Sequence, residues 1–307
     1  MKFVQVARRL SLLLVVNILV MLTIGIIVSL VFRGYVGRIG GSQNLFFFCF
    51  AWGMGGAFFS LAISRWVAKT MRGVRVIDPN TTDPALSRLV RTVHQLARTA
   101  GLSTMPEVGI YDSPEVNAFA TGPSRSRALV AVSAGLLGRM RQYDVEGVLG
   151  HEIAHIANGD MVTMTLIQGV VNSFAFFLSW VLAMALSRNS DRDDDRGGNW
   201  YMEWMLHDLF NMVFMVLGSL VVMWFSRWRE FRADAGGARY AGRDHMISAL
   251  RALEQVHEAG ADAYGPQQQP AFQALKISGK TGGLMALFAS HPPLEERIAR
   301  LESSTIV

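Results

Sequence analysis

Cysteine is almost missing from this chain: Cys49 is the single one in 307 residues. No intramolecular disulfide can form, and no site built on several thiolates exists. Internal repeats of the solenoid kind are also absent, which excludes a repeat architecture. The formal net charge is +5, yet basic residues are not interleaved with aromatic ones, so a nucleic-acid partner is not indicated. The first apolar run lacks a small-residue cleavage pattern behind it and is too long for the h-region of a signal peptide. It reads as a retained anchor.

What the chain has in excess is apolar length. Hydrophobic residues make up 51% of it, and the mean hydropathy is positive. The excess sits in four runs, about Leu10 to Phe32, Leu45 to Ile63, Met161 to Leu186 and Leu209 to Phe225. Each approaches or exceeds the roughly 20 residues that cross a hydrocarbon core. The third run carries Thr163, Thr165, Gln168, Asn172 and Ser173 in its first half, and these must face protein or water.

Lysine and arginine set the orientation. Lys2, Arg8 and Arg9 precede the first run; Arg65, Lys69, Arg72 and Arg75 follow the second; Arg227, Arg229 and Arg232 follow the fourth. The intervening loops carry only Arg33 and Arg38, or mix Arg188, Arg192 and Arg196 with aspartates. Both termini are therefore expected in the cytoplasm. The expected organisation is a membrane anchor over 1–68, a first water-facing part over 69–160, a membrane hairpin over 161–226 and a second water-facing part over 227–307.

In the first water-facing part, Asp83-Pro84 opens a helix. Its apolar positions Leu86, Leu89, Val90, Val93, Leu96 and Ala97 recur at helical spacing, and Gly101 closes it. His94 on this helix reads as a packed or solvated histidine. Val108 to Tyr111 and Ala128 to Val132 read as strands, with Asn117 to Gly122 as an extended edge between them. Asp144 is the expected N-cap of a further helix that buries Val145, Val148, Leu149, Ile153 and Ile156 and ends at Gly159.

That last helix carries His151-Glu152-Ile153-Ala154-His155. Residues four apart share a helix face, so both imidazoles can reach one Zn2+ ion. Glu152 lies one step round, beside the metal without being a ligand, where a general base acting on water belongs. Catalytic zinc takes three protein ligands. A further histidine six residues on would complete one known pattern, but that position is Met161. Glu230 and Asp234, four apart in Arg229-Glu230-Phe231-Arg232-Ala233-Asp234, supply the candidates instead. Glu230 can bind zinc while Asp234 accepts the free N–H of a ligating histidine. The bland alternative makes them two charges of a solvated helix.

His151-Glu152-x-x-His155, then Glu230-x-x-Ala233-Asp234 after a membrane hairpin, then His291-Pro292-Pro293-Leu294-Glu295-Glu296-Arg297 together resemble one family. It is the HtpX family of bacterial membrane metalloproteases, gluzincins grouped with the eukaryotic CAAX prenyl endopeptidases. The resemblance covers nearly the whole chain, including Val116 to Phe119. It implies a mainly α-helical membrane protein (α+β), with about four transmembrane helices and a cytoplasmic gluzincin-type protease domain carrying a small β-sheet. It implies one Zn2+ per chain, a multi-pass place in the bacterial inner membrane, and hydrolysis of misfolded or damaged membrane proteins under stress. Partners would be those substrates and the lipid bilayer, with other quality-control proteases beside them. Asn117 would bind substrate backbone on an edge strand, and His291 and Arg297 would bind or stabilise the oxyanion. The alternatives are a CAAX-type processing peptidase and a non-catalytic zinc-binding membrane scaffold. Against the scaffold stands Glu152, which a structural zinc site does not need.

Overall fold

A computed structural model describes residues 42–187, 199–263 and 291–304. The first apolar run lies outside the described residues. Among those described, three helices are long and apolar enough to cross a membrane by length and composition: Leu45–Met71, Asp160–Ser187 and Tyr201–Ala241. The described residues divide into two compact units, one falling within Met1–Ser60 and Thr165–Ser219, the other within Leu61–Met164 and Leu220–Val307.

In the first unit the helices belong to α1 (Ser42–Met71), α5 (Asp160–Ser187) and α6 (Asn199–Ala241). Phe46 meets Phe177 edge-on at 5.4 Å. The polar residues of the third apolar run find partners inside the protein. Gln168 donates to Asn172 at 2.7 Å, and the buried Ser173 hydroxyl donates to the carbonyls of Gly169 and Phe50. His207 is buried too, held by Ser179 at 2.8 Å and stacked on Trp180. Phe174, Leu178, Met212, Val216 and Leu217 are exposed. An apolar exterior with polar groups turned inward is what a bilayer selects.

The second unit is built on a sheet of four strands in the order β1-β2-β4-β3. They are β1 (Arg75–Val76), β2 (Glu107–Tyr111), β3 (Ala118–Thr121) and β4 (Leu129–Ser133). β2 and β4 pair in parallel, while β3 runs antiparallel to β4 with Ala118 opposite Val132. All five residues of β4 are buried, so it reads as a continuous apolar run with no alternation. Val130 and Val132 face a core shared with α2 (Pro84–Thr99) and α4 (Gln142–Asn158); Leu129 and Ala131 face Ala68 and Val74. Between β4 and α4 lies the short α3 (Ala134–Arg139).

Helix α2 forms as the sequence predicts. The Asp83 carboxylate accepts from the N–H groups of Ala85 and Leu86 at 2.8 and 3.2 Å, and Pro84 occupies the first turn, where no N–H is needed. His94 packs against the Pro106 carbonyl at 3.2 Å and is not part of the metal-binding group found among the described residues. Helix α4 buries the expected Val145, Val148, Leu149, Ile153 and Ile156. Its start differs from expectation: Arg141 is the N-cap and Asp144 lies inside the first turn. Asp144 is 1% exposed and accepts from Arg141 and from Ser248. A carboxylate that can bind a partner across the core is worth more there than as a cap in water.

Helix α7 (Arg243–Ala263) lies along α4, and α8 (Leu294–Ser303) lies along α7. The α4–α7 approach depends on Gly147. A Cβ there would meet the His245 carbonyl oxygen at 2.3 Å and the Ala249 Cβ at 2.8 Å. Gly147→Ala is therefore expected to destabilise the protein by about 1–3 kcal/mol, read as a lower melting temperature in detergent. Gly138→Ala, where nothing lies within 4 Å of the new methyl, is the control and should leave the melting temperature unchanged or slightly higher. Equal melting of the two variants would contradict this packing.

Candidate metal centre

His151 and His155 lie one turn apart on α4, both buried. Their Nε2 atoms are 3.1 Å apart. The third group comes from α6, which continues without a break from its apolar run to Ala241 and carries Glu230 on the way. Glu230 Oε2 is 3.4 Å from His151 Nε2, and Glu230 Oε1 is 3.3 Å from His155 Nε2. These three separations suit one small cation. Ligands about 2.0–2.1 Å from a tetrahedral centre lie roughly 3.3 Å from one another.

The carboxylate itself argues the same way. Glu230 has no exposure to solvent, and its Oε1 has no hydrogen-bond donor. A buried carboxylate oxygen without a donor is costly unless a cation completes it. Nitrogen and oxygen ligands with no thiolate fit zinc or a similar divalent ion. Among the described residues, His151, His155 and Glu230 are the one group that can hold a metal.

Each imidazole turns its other nitrogen to a carboxylate. His151 Nδ1 is 2.9 Å from Asp234 Oδ1, as the one-turn spacing of Glu230 and Asp234 predicts. His155 Nδ1 is 2.6 Å from Asp160 Oδ2. Asp160 is 2% exposed and was not singled out from sequence. It follows Gly159, whose φ of 72° ends α4 in the left-handed conformation and turns the chain so that α5 starts beside His155. The available signal was a carboxylate next to a helix-stopping glycine, five residues after His155. Such a residue ordinarily reads as the start of the next helix.

The carboxylates also set the charge of the imidazoles. Burial works to lower the basicity of His151. Its hydrogen bonds to Asp234 and Glu230, and their charges, outweigh burial and push it up to about 10. His155 moves up against burial as well, through Asp160 and Glu230. The cluster is built to hold positive charge, and a divalent cation entering it displaces protons.

Arg297 stands on the buried face of α8 with Leu294, Ile298 and Leu301. It donates from Nε and Nη2 to the two oxygens of Asp234, at 2.8 and 2.6 Å. Two of its donor groups are thus committed to the carboxylate that orients His151. His291 lies at the rim, its Nδ1 2.8 Å from Glu230 Oε2. Glu152 is half-buried, forms no salt bridge among the described residues, and lines a cleft of about 400 Å3 with His151, His155, His291 and Arg297. The cleft's other wall is Asn117 and the edge strand β3. Ser133 N–H donates to the Asn117 carbonyl at 2.9 Å. Antiparallel alternation then turns the peptide groups of Ala118 and Ala120 away from β4, to an edge that no strand covers among the described residues.

Residues 85–305 match Peptidase family M48. The chain is 50% identical over 306 residues to "Protease HtpX homolog" of Bacillus subtilis, covering 97% of this chain and 99% of the relative. It is 48% identical over 300 residues to "Protease HtpX homolog" of Methylacidiphilum infernorum, covering 96% and 98%. It is 47% identical over 299 residues to "Protease HtpX" of Aeromonas salmonicida, covering 96% and 99%. Among solved structures it is similar to S. mikatae Ste24p, with a TM-score of 0.57 and 18% identity over 92% of this chain and 66% of that one. At that identity the likeness is one of fold.

Asp160 and Asp234 should differ in what they support. Asp160→Asn is expected to weaken metal retention about 10- to 100-fold with little loss of fold stability. Asp234→Asn should weaken retention too, and in addition leave Arg297 buried beside a neutral amide. Breaking such a pair costs about 3–5 kcal/mol. Metal analysis across a chelator series, with melting curves, separates the two. Equal melting of both variants would contradict the pairing of Asp234 with Arg297.

Proposed function

The chain belongs to peptidase family M48 and is a membrane metalloprotease, and we propose that it is a zinc endopeptidase hydrolysing misfolded or damaged membrane proteins at the cytoplasmic face of a bacterial inner membrane. The observation that carries this reading is the convergence of two imidazole nitrogens and a solvent-free carboxylate at 3.1–3.4 Å beside Glu152, in a cleft walled by a free strand edge. The roles under stress and in quality control follow from the same resemblance, as does one zinc ion per chain.

His151, His155 and Glu230 would hold the zinc. When bound, the ion supplies an acidified water and a positive charge for the carbonyl oxygen. Glu152 takes a proton from the attacking water and passes it to the leaving amine, as a carboxylate in reach of both can do. Asp160 and Asp234 fix the tautomers of His155 and His151, leaving both Nε2 atoms free of protons when the metal is held. His291, whose Nδ1 donates to Glu230, presents its other side to the cleft rim and is the nearer candidate to meet the oxyanion. Arg297 acts chiefly through Asp234 as a positioning residue. Asn117 leads the substrate backbone onto the edge of β3, where Ala118 and Ala120 offer free peptide groups for strand addition.

Purified protein in detergent, given one unfolded membrane protein, tests the reading. Glu152→Gln should keep its zinc and lose proteolysis by about 100- to 10,000-fold. Glu230→Ala should lose the metal itself under dilute chelator. Full activity of Glu152→Gln would sink the assignment of the base, and unchanged zinc in Glu230→Ala would move the third ligand elsewhere.

Topology has its own test. His155 and Glu230 flank two apolar runs, and they meet at one site when an even number of crossings separates them. Reporters fused after Asp160 and after Val307 should both read cytoplasmic, and one within 191–198 should read periplasmic. Opposite readings after Asp160 and Val307 would be incompatible with this site.

A further inference from the structure

Several cations that border the sheet or the cleft are held by carboxylates. Arg65 and Lys69 both bind Glu107, and Arg297 binds Asp234. Arg72 is different. It is exposed, and among the described residues it forms no salt bridge. Its guanidinium lies over the ring of Phe119, 4.6 Å from the centroid. Both residues line the cleft that contains Glu152. Contact with the ring pins the charge at one place beside the edge strand and leaves its N–H groups for something else.

Geometry says what that something is. In a sheet, residues directly opposite each other project their side chains to the same face. A strand added along the free edge of β3 therefore brings the residue opposite Phe119 onto Phe119's face, the face that carries Arg72. The other face holds Ala118 and Ala120, which pack on the core below.

We propose that Arg72 is a specificity-determining residue that selects an acidic side chain, Asp or Glu, at the substrate position lying opposite Phe119. The proposal rests on the protease reading and on substrate binding along β3. Arg72 is solvent-exposed, so the selection is modest: about 3- to 5-fold for Glu over Gln, and about 10-fold for Glu over Lys. Those preferences should shrink as salt is raised.

The test uses the full chain in neutral detergent, loaded with zinc and carrying Glu152→Gln so that peptides bind without being cut. A labelled ten-residue peptide of strand-forming sequence carries Glu, Gln or Lys at one position at a time, and fluorescence anisotropy reads the dissociation constant. One position should show the order Glu, Gln, Lys from tightest to weakest. Adding Arg72→Glu should invert that order at that position alone. Adding Arg75→Glu makes the same charge change on β1, the opposite end of the sheet, and should leave the order intact. A preference that survives Arg72→Glu, one that Arg75→Glu inverts equally, or a complete lack of peptide binding would each overturn the proposal. Cleavage by the chain with Glu152 intact is measured separately, so failure of the protease reading is told apart from failure of this one.

Discussion

A glutamate with no access to water cannot stand without a positive partner, and the water-facing unit is arranged around meeting that demand for Glu230. Desolvation of a lone carboxylate costs several kcal/mol even after the protein relaxes. Two histidine nitrogens lie 3.3 and 3.4 Å from it, and a third histidine lies 2.8 Å away. One oxygen still has no hydrogen-bond donor. A divalent ion between these groups replaces partial compensation with full neutralisation. The donors come from α4 and α6, so neither element alone makes the site.

Around this centre lies a second layer of carboxylates. Asp160 holds His155, and Asp234 holds His151. Asp234 is in turn clamped by Arg297 through two nitrogens. The sequence from α8 through Asp234 to His151 is a chain of charge-assisted hydrogen bonds in a region closed to solvent, where such bonds are strong and an unpaired member is costly. A charged residue on the last described helix thus supports the orientation of an imidazole 146 residues earlier in the sequence. The resemblance implies that Arg297 binds or stabilises the oxyanion; its Nε and Nη2 bond to Asp234, which holds His151.

Helix α6 joins two kinds of environment. Its N-terminal part is apolar and exposed on the outside, as lipid requires, with Met212, Val216 and Leu217 among the exposed residues. Its C-terminal part carries Glu230 and Asp234 on a buried face, with Ala233 and Ala238 beside them. Reading the fourth apolar run as ending near Phe225 separates the span from the site. The structure makes them one helix from Asn199 to Ala241, because nothing between Phe225 and Glu230 breaks helical hydrogen bonding: no proline and no glycine.

Local rules were enough wherever the interaction lies within one turn or one strand. The pairing of His151 with His155, the place of Glu152 beside them, the capping of α2 by Asp83 and the strands around Val108 and Leu129 all follow from spacing and propensity. So do the three long apolar helices among the described residues, since length and composition decide them. Glu230 and Asp234 were legible as a one-turn pair, while their meeting with His151 required two chain segments to fold together. Asp160 and Asp144 show the limit of reading by sequence. A carboxylate beside a helix start looks like a cap in either case. Whether it caps, binds a histidine or binds a serine on another helix depends on which partner tertiary packing brings within about 3 Å. Sequence determined which groups can ligate, and local geometry put two of them in register. The third group and the carboxylates that orient the first two were decided by the tertiary structure, because their energies depend on a desolvated space that exists only once the helices have closed around it.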